Sequence, residues 1–383
     1  MLRFLTAGES HGRGLVVVVE GLPAGLPITV EEIAGELARR RLGFGRGPRM
    51  RFEQDELTIL GGVRHGRTLG SPVAIEILNS EWPKWEQEMD PAPGHTEKPL
   101  TRPRPGHADL AGMQKYGFTD ARDVLERASA RETAARVAAG TLAKALLARL
   151  DVAVVSHVVQ LGPVTTKSSV RPTPGDLATV DESPVRCFDP EGEEAMVTEI
   201  KAAAKVGDSL GGVAEVVAYG VPVGLGSHVH WDRRLDGLLA QAFASIPAVK
   251  AVEFGEGFDV AGRRGSEAHD AILWDAGETS YRRETTRAGG IEGGMSTGDL
   301  VVARVAMKPL STLNRPVLKT VDTVTKEEAV SFKERTDVTA VPAMGVVAET
   351  AMALVLASEA LRKFGGDSLD EVVRNRDSFL RGL

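Results

Sequence analysis

The chain has 383 residues, of which 42% are hydrophobic and 26% charged, so it can bury a large core. Its formal net charge of −7 argues against a surface built for nucleic acid, and its single cysteine, Cys187, excludes an intramolecular disulfide and a cysteine-based metal site. We expect no stretch to reach the roughly 18 consecutive apolar residues that are needed to span a bilayer. We therefore expect a soluble cytoplasmic protein without a membrane or nucleic-acid partner.

Capping patterns and apolar periodicity predict the helices. Thr29 with Glu32 is a capping box that predicts a helix ending near Arg41. Ser129 with Glu132 repeats the pattern before an alanine-rich run and predicts a helix over about 130–150. The same pattern, periodicity and glycine stops predict further helices near 193–205, 233–244, 348–364 and 369–379, and one opening at Thr325 with Glu328.

Runs of β-branched residues predict strands over 15–20, 73–78, 152–161, 212–221 and 300–307. The order of elements lacks the regular βαβ alternation of a doubly wound sheet. Gly-Gly-Val at 61–63 and again at 211–213 hints at an internal duplication. Residues 79–105 are polar and proline-rich, which is typical of a long ordered binding loop.

Basic residues are concentrated in two places in this acidic chain, which predicts a focused anion site. One cluster is Arg39, Arg40, Arg41, Arg46, Arg49 and Arg51, and the other is Arg102, Arg104 and His107.

Two histidines have surroundings suited to proton transfer. His11 lies in Gly-Glu-Ser-His-Gly, where small neighbours leave the imidazole accessible to a ligand. His107 lies in Arg-Pro-Gly-His-Ala-Asp, where Asp109 is placed to fix the tautomer of His107 and Arg104 to bind an anion. Each motif alone fits a plainer interpretation, a loop histidine for the first and a Pro-Gly turn with an exposed histidine for the second.

Three further segments suggest ligand binding. Residues 127–133 place two arginines at a predicted helix start, where unpaired N–H groups attract phosphate, although a capped helix with surface arginines fits equally. Residues 287–298 are glycine-rich but match neither a Walker A loop nor a dinucleotide fingerprint. Arg335 and Asp337 precede a loop-like 338–344 and pair an anion-binding group with a base, or form a surface salt bridge. The remaining histidines lack metal-ligand spacing, so no metal site is predicted.

Taken together, these motifs closely resemble the chorismate synthase family, in the family's order and over nearly the whole chain. The resemblance implies one domain over 1–383 of the α+β class, a pseudo-duplicated β-α-β sandwich in which antiparallel sheets enclose a helical layer, and a homotetramer. The segment around 163–191 departs most from shorter bacterial members.

The resemblance also implies the chemistry, a 1,4-anti elimination of phosphate from 5-enolpyruvylshikimate-3-phosphate that needs reduced FMN without net redox change. It implies that His11 is the acid toward the departing phosphate, His107 the proton donor to the reduced flavin, and Asp337 a base near the flavin N5. The implied substrate-binding residues are Arg40, Arg46, Arg104 and Arg131. The implied FMN-binding residues are Arg127, Ala128, Ser129, Ala248, Gly293, Lys308, Pro309, Leu310, Ser311, Thr312 and Arg335.

Two other functions remain open at this point. A flavin oxidoreductase with net hydride transfer would need a nicotinamide site, for which no fingerprint is found. A noncatalytic nucleic-acid binder would need stacking aromatics, and the arginine cluster has no aromatic ladder. Family members take reduced flavin from an external source or make it with NADPH, and the short chain favours the external source.

Overall fold

The computed structural model describes residues 2–47, 56–167, 170–277, 280–332 and 336–383. Its strands in these ranges are β1 (Arg3–Ala7), β2 (Gly14–Glu20), β3 (Leu57–Gly61), β4 (Val63–Arg64), β5 (Arg67–Thr68), β6 (Val73–Leu78), β7 (Ala153–Leu161), β8 (Val164–Thr165), β9 (Gly212–Tyr219), β10 (Val249–Phe254), β11 (Ile272–Asp275), β12 (Ser280–Arg283), β13 (Ile291–Glu292), β14 (Met295–Ser296), β15 (Val301–Met307), β16 (Lys319–Val321) and β17 (Glu328–Val330).

The helices in the same ranges are α1 (Val30–Arg41), α2 (Trp82–Trp85), α3 (Asp109–Tyr116), α4 (Arg122–Ala128), α5 (Thr133–Ala148), α6 (Leu177–Glu182), α7 (Pro190–Val206), α8 (Leu235–Ala244), α9 (Phe258–Ala261), α10 (Gly265–Ala268), α11 (Val341–Phe364) and α12 (Leu369–Leu380). Short 3₁₀ turns occupy Ala130–Glu132, Pro174–Asp176 and Trp231–Arg233.

Two antiparallel sheets enclose a layer of helices. The first sheet has the order β1-β2-β6-β3 and the second the order β10-β15-β9-β7-β8. Alternate residues of each strand point to one face, so Val73, Ile75 and Ile77 of β6 are fully buried. Helix α5 packs on β2 and α11 on β7 and β9, while α1, α5 and α11 pack on one another. This arrangement confirms the predicted α+β sandwich.

Helix α11 is the central element of the helical layer, and it corrects two predictions. It begins at Val341, so 341–344 is helical and only 338–340 of the predicted loop-like segment lies outside the helix. Pro342 is compatible with a first helical turn, where no N–H partner is needed. It is also long and apolar enough to cross a membrane, contrary to the expectation that no stretch was. Because 83% of its apolar window is buried among other elements of the protein, the helix reads as a core helix.

One other local prediction was wrong. Thr325 and Glu328 do not open a helix, because the carboxylate of Asp322 accepts hydrogen bonds from the backbone amides of Val324 and Thr325 and forms a turn between β16 and β17. The first Gly-Gly-Val stretch joins the end of β3 to the start of β4, and the second leads into β9.

A buried ionic network joins α1 and α11 to the second sheet. Glu349 is fully buried and accepts hydrogen bonds from Arg39 (2.8 Å), Lys144 (3.1 Å), Arg186 (3.0 Å) and the Ser156 hydroxyl (2.8 Å). Burial by itself raises the pKa of Glu349, but the three cations lower it well below the usual value. The network therefore holds the C-terminal end of α1 in place.

Candidate active site

The loop between β1 and β2 presents His11, and its shape is set by close backbone contacts. Gly8 has a φ of 101°, and a Cβ there would lie 2.3 Å from the carbonyl oxygen of Gly14, so only glycine fits. The side-chain amide of Asn79 donates to the carbonyl oxygens of Ser10 and Gly12. The loop is thereby held on both sides of His11.

His11 is bound on its edge and covered on one face. Its Nδ1 lies 2.9 Å from Oε1 of Glu126, and its backbone N–H donates to Oε2 of the same carboxylate at 2.8 Å. The imidazole stacks on Trp85 with ring centroids 4.0 Å apart. Arg122 donates to Glu126 at 3.0 Å and lies over the Trp85 ring. Three side chains from α2 and α4 thus orient one imidazole.

Electrostatics fix the charge of Glu126. Burial would raise the pKa of this carboxyl, but hydrogen bonds from His11 and the charge of Arg122 lower it below its usual value. An ionised carboxylate accepts hydrogen bonds only, so Nδ1 of His11 carries the proton in this pair. The carboxylate therefore fixes which ring nitrogen faces it.

The turn from α4 into α5 lies beside this loop. Ser129 accepts a hydrogen bond from the backbone N–H of Arg131 and donates to the Ser10 hydroxyl at 3.1 Å. Arg127 donates to the carbonyl oxygens of Gly8 and Thr6. Ala128 is the last residue of α4. The predicted segment 127–129 is therefore brought to the His11 loop, although the helix start is a 3₁₀ turn.

Two of the predicted arginines are buried at this turn. Arg40 is 6% exposed and donates to the Thr133 hydroxyl (2.9 Å) and the Ala130 carbonyl oxygen (3.0 Å). Arg131 is 8% exposed and donates to the carbonyl oxygen of Leu78 at 3.3 Å. The guanidinium groups add to the positive end of the α5 dipole, an arrangement that favours anions.

The second histidine forms a compact group with its neighbours. His107 Nδ1 lies 2.5 Å from Oδ1 of Asp109, and Arg104 Nε donates to Oδ2 at 2.9 Å. Burial raises the pKa of Asp109, but the hydrogen bonds from His107 and Arg104 outweigh it and hold that pKa far below its usual range. The predicted orientation of His107 by Asp109 agrees with this geometry.

The segment 308–312 follows β15 and contacts the His107 loop. Lys308 Nζ donates to the carbonyl oxygen of Gly106 at 2.5 Å, and Arg104 Nη1 donates to the Thr312 hydroxyl at 3.2 Å. Burial, helped by the charge of Lys250, lowers the pKa of Lys308. The structure thus brings the predicted lysine and threonine to the predicted arginine.

The other residues of the segment 308–312 contact the core and the loops next to it. Leu310 packs against the core, and its carbonyl oxygen accepts a hydrogen bond from the Ser209 hydroxyl. Ser311 lies close to Gly106, and Pro309 packs against the Gly211 backbone closely enough that a Cβ on that glycine would not fit. Ala248 has a φ of 68°, and its carbonyl oxygen accepts from the backbone N–H of Lys308. Ala248 is therefore a neighbour of Lys308.

Asp337 lies opposite the end of α1. Its Oδ1 accepts from the backbone N–H of Gly47 at 2.6 Å, and its Oδ2 lies 3.1 Å from Nε of Arg46. The N–H of Nε is not aimed at this oxygen, so the buried Nε and Nη1 of Arg46 form no hydrogen bond within the described ranges. Arg335, the other predicted member of this group, lies outside the described residues, as do Arg49 and Arg51.

Gly293 lies elsewhere in the chain. Together with Gly294 it forms the tight turn between β13 and β14, with φ values of 58° and 83°. This hairpin is tied to Gly226, whose carbonyl oxygen accepts from Arg362 near the C-terminal end of α11. The glycine-rich segment precedes β15 and Lys308 follows that strand. Among the contacts of the described residues, the hairpin that contains Gly293 pairs with Gly226 and not with the segment 308–312.

Three residues that orient His11 were absent from the sequence prediction, namely Trp85, Arg122 and Glu126. Glu126 is 115 positions from His11, and a glutamate within a helix carries no local sign of that partner. Trp85 lies in the segment 79–105, which was expected to be a binding loop and contributes a ring to the site.

Two carboxylate-bound histidines and buried arginines, placed where two antiparallel sheets enclose a helical layer, define an α+β enzyme for a small-molecule substrate. The sequence profile of the family described as Chorismate synthase matches residues 2–361. The chain is 61% identical to a chorismate synthase of Salinispora tropica and 59% identical to one of Thermobifida fusca, in each case over 100% of this chain and 99% of the relative.

A crystal structure of chorismate synthase has a TM-score of 0.79 to this fold and 41% sequence identity, covering 100% of this chain and 98% of that one. The chain belongs to the chorismate synthase family, and it is accordingly a carbon–oxygen lyase of aromatic amino-acid biosynthesis.

Proposed function

We propose that this chain eliminates phosphate from 5-enolpyruvylshikimate-3-phosphate to give chorismate, with reduced FMN bound and not consumed. The observation that carries the proposal is the grouping of two histidine–carboxylate pairs with buried arginines in one chain. His11 binds Glu126 and His107 binds Asp109, both at hydrogen-bond distance. An elimination of this kind needs anion binding and placed proton donors, and both are provided by these side chains.

The arginines fit the charge of the substrate, which carries one phosphate and two carboxylates. Arg40 and Arg131 lie beside the start of α5, and Arg104 lies in the His107 loop. Guanidinium groups bind such anions through paired N–H donors. Arg46 keeps two buried nitrogens without a hydrogen bond in the described part of the chain, which supports an anionic group of a ligand beside it.

The donor set also suits FMN. Lys308 and the hydroxyls of Ser311 and Thr312 form one group, and Arg127 and Ser129 form another beside the His11 loop. When bound, reduced FMN supplies electron density for C–O cleavage. Five further residues stay predicted to bind FMN, namely Ala128, Ala248, Pro309, Leu310 and Arg335.

Each proposed proton position follows from a partner. Glu126 accepts from Nδ1 of His11 and leaves Nε2 as the ring nitrogen that serves as the acid toward the departing phosphate. Asp109 holds His107 in the same way, and His107 donates to the flavin ring. Asp337, held by the Gly47 amide, serves as a base. The three side chains are partly buried, which limits the access of water to them.

We also propose that the protein is a cytoplasmic homotetramer. Gly293 remains a predicted cofactor-binding residue.

The test is an anaerobic assay with 5-enolpyruvylshikimate-3-phosphate and chemically reduced FMN. Chorismate and phosphate in equal amounts, without net flavin oxidation, are the expected products. Flavin oxidation in proportion to substrate reduction would instead favour an oxidoreductase. Turnover driven by NADPH in air would contradict the expected external source of reduced flavin.

Variants refine the assay. His107→Ala and Asp337→Asn should each lower kcat about 100-fold with a much smaller change in FMN affinity, because both groups act on protons. His95→Ala, an exposed loop histidine, is the control and should retain turnover. Full turnover in both test variants would remove His107 and Asp337 from the proposed roles.

A further inference from the structure

A cavity separate from the candidate active site lies on the outer face of the five-stranded sheet. It has a volume of about 290 Å³ and is lined by side chains of β7, β9, β10 and β15 and of the segment after β8. Ser156 points inward to Glu349 of α11, so the adjacent His157 points to the opposite face. None of the residues that line this cavity belongs to the predicted catalytic, substrate or FMN set.

The floor of the cavity is a row of charged side chains at directly opposed strand positions. His157 pairs with Glu215, Glu215 with Arg304, and Arg304 with Glu253. Arg171, from the segment after β8, closes over this row and donates to Glu215 at 2.7 Å. Glu215 therefore holds two arginines and a histidine on one carboxylate.

These contacts leave hydrogen-bonding capacity directed at the cavity. Arg304 and Arg171 both donate through Nε to Glu215, and each guanidinium has five N–H donors. Burial raises the pKa of Glu215, but its three partners lower it to about 2, so it is ionised at neutral pH. Two permanent cations then face one anion in the floor, with Glu253 farther out at 3.6 Å from Arg304.

His157 carries the most specific feature. It is 4% exposed, and its Nε2 lies 3.4 Å from Oε1 of Glu215. Since an ionised carboxylate only accepts, Nε2 carries a proton in this contact. The other ring nitrogen, Nδ1, is buried and has no hydrogen-bond partner in the part of the chain that the structure describes. A buried polar atom of this kind calls for a hydrogen-bonding group from a ligand.

We propose that this cavity binds a small hydroxycarboxylate with an apolar body. Its carboxylate would contact Arg171 and Arg304, its hydroxyl would form a hydrogen bond with Nδ1 of His157, and its apolar part would pack on Val159 and Val213. The apolar wall and the unpaired ring nitrogen together distinguish this ligand from inorganic phosphate, which has neither an apolar body nor one fixed hydroxyl.

The test uses calorimetric titration of the full chain with 3-hydroxybenzoate, benzoate and inorganic phosphate. We expect one site per chain and an affinity for 3-hydroxybenzoate about 5- to 10-fold higher than for benzoate, the contribution of one hydrogen bond. Arg171→Ala should weaken both aromatic acids about 10-fold, whereas Arg149→Ala, at an exposed arginine directly after α5, should weaken neither.

His157→Phe should abolish the preference for the hydroxyl while benzoate still binds. Should that variant fail to fold, ¹⁵N resonances of the His157 ring in the unmodified protein decide the matter, because 3-hydroxybenzoate and not benzoate should shift Nδ1. Phosphate binding tighter than both acids, equal losses in Arg149→Ala, or no binding of 3-hydroxybenzoate at millimolar concentration would each overturn the proposal.

Discussion

Glu126 binds His11 at two points, accepting from its backbone N–H at 2.8 Å and meeting its ring Nδ1 at 2.9 Å. One carboxylate therefore sets both the position of the loop and the protonation of the ring. Asp109 has the corresponding double role in the second group, accepting from the backbone N–H of Arg104 and meeting the ring of His107. Each histidine is thus oriented by a carboxylate that also accepts a hydrogen bond from a backbone N–H of the same loop.

The first prediction concerns Glu126→Gln. A neutral amide keeps the size of the side chain but removes the negative charge beside Nδ1 of His11, so kcat should fall about 10- to 100-fold while KM changes little. The pH dependence of kcat should also shift, because an ionised carboxylate beside the ring is lost. Steady-state kinetics over pH 5 to 9 measure both effects.

Glu88→Gln is the matched control, because Glu88 also lies near Arg122 (3.4 Å) but is 35% exposed and does not contact His11. It should behave like the unmodified protein. A kcat loss without a change in the pH profile would show that Glu126 only supports the fold.

The second prediction concerns stability against pH. The pKa of Asp109 is lower in the folded chain than its unfolded value of about 4, so its stabilisation is complete above pH 4 and is lost as pH falls through the folded pKa. Asp109→Asn should therefore cost about 2–4 kcal/mol at pH 7, and the difference from the unmodified protein should shrink towards pH 3. Urea unfolding at pH 7, 5 and 3 gives the values. A difference that stays constant with pH would contradict the ionic origin.

The third prediction concerns the buried network. Glu349→Gln leaves Arg39, Lys144 and Arg186 with one negative charge fewer in the interior, and breaking a buried pair typically costs about 3–5 kcal/mol. The unfolding free energy should fall by that amount in chemical denaturation. Glu194→Gln, at an exposed position of α7, should change it by less than about 0.5 kcal/mol. Similar losses in both variants would contradict the role of the network.

The sequence predicted those features whose cause is local. Thr29 and Glu32 are three residues apart and form both capping-box hydrogen bonds, so the start of α1 was correct. The similar pair Thr325 and Glu328 failed because Asp322 competes for the same backbone amides. Partners far apart in the chain, such as Glu126 and His11, leave no local pattern, since folding and not spacing brings them together.

The same distinction applies to the candidate site. Asp109 was predicted as the partner of His107 because it is two residues away, and the orientation of the ring agrees. The start of α11 was missed because Val338 to Met344 has no charged residue or capping pattern that marks a helix, and its helical state depends on burial among other elements. Tertiary packing, and not the local sequence, determines where α11 begins.

The last prediction concerns the contact between α5 and α11. A Cβ added at Gly140 would lie 2.2 Å from Cβ and 2.9 Å from Cα of Thr350, so the two helices would have to separate. Gly140→Ala should therefore destabilise the protein by about 2 kcal/mol or more, although alanine is favoured over glycine in a helix by about 1 kcal/mol. Gly35 is the matched position, exposed on α1 with no atom within 4 Å of an added Cβ. Gly35→Ala should stabilise by about 0.5–1 kcal/mol in the same denaturation experiment, and opposite signs for the two substitutions are the result that close helix packing requires.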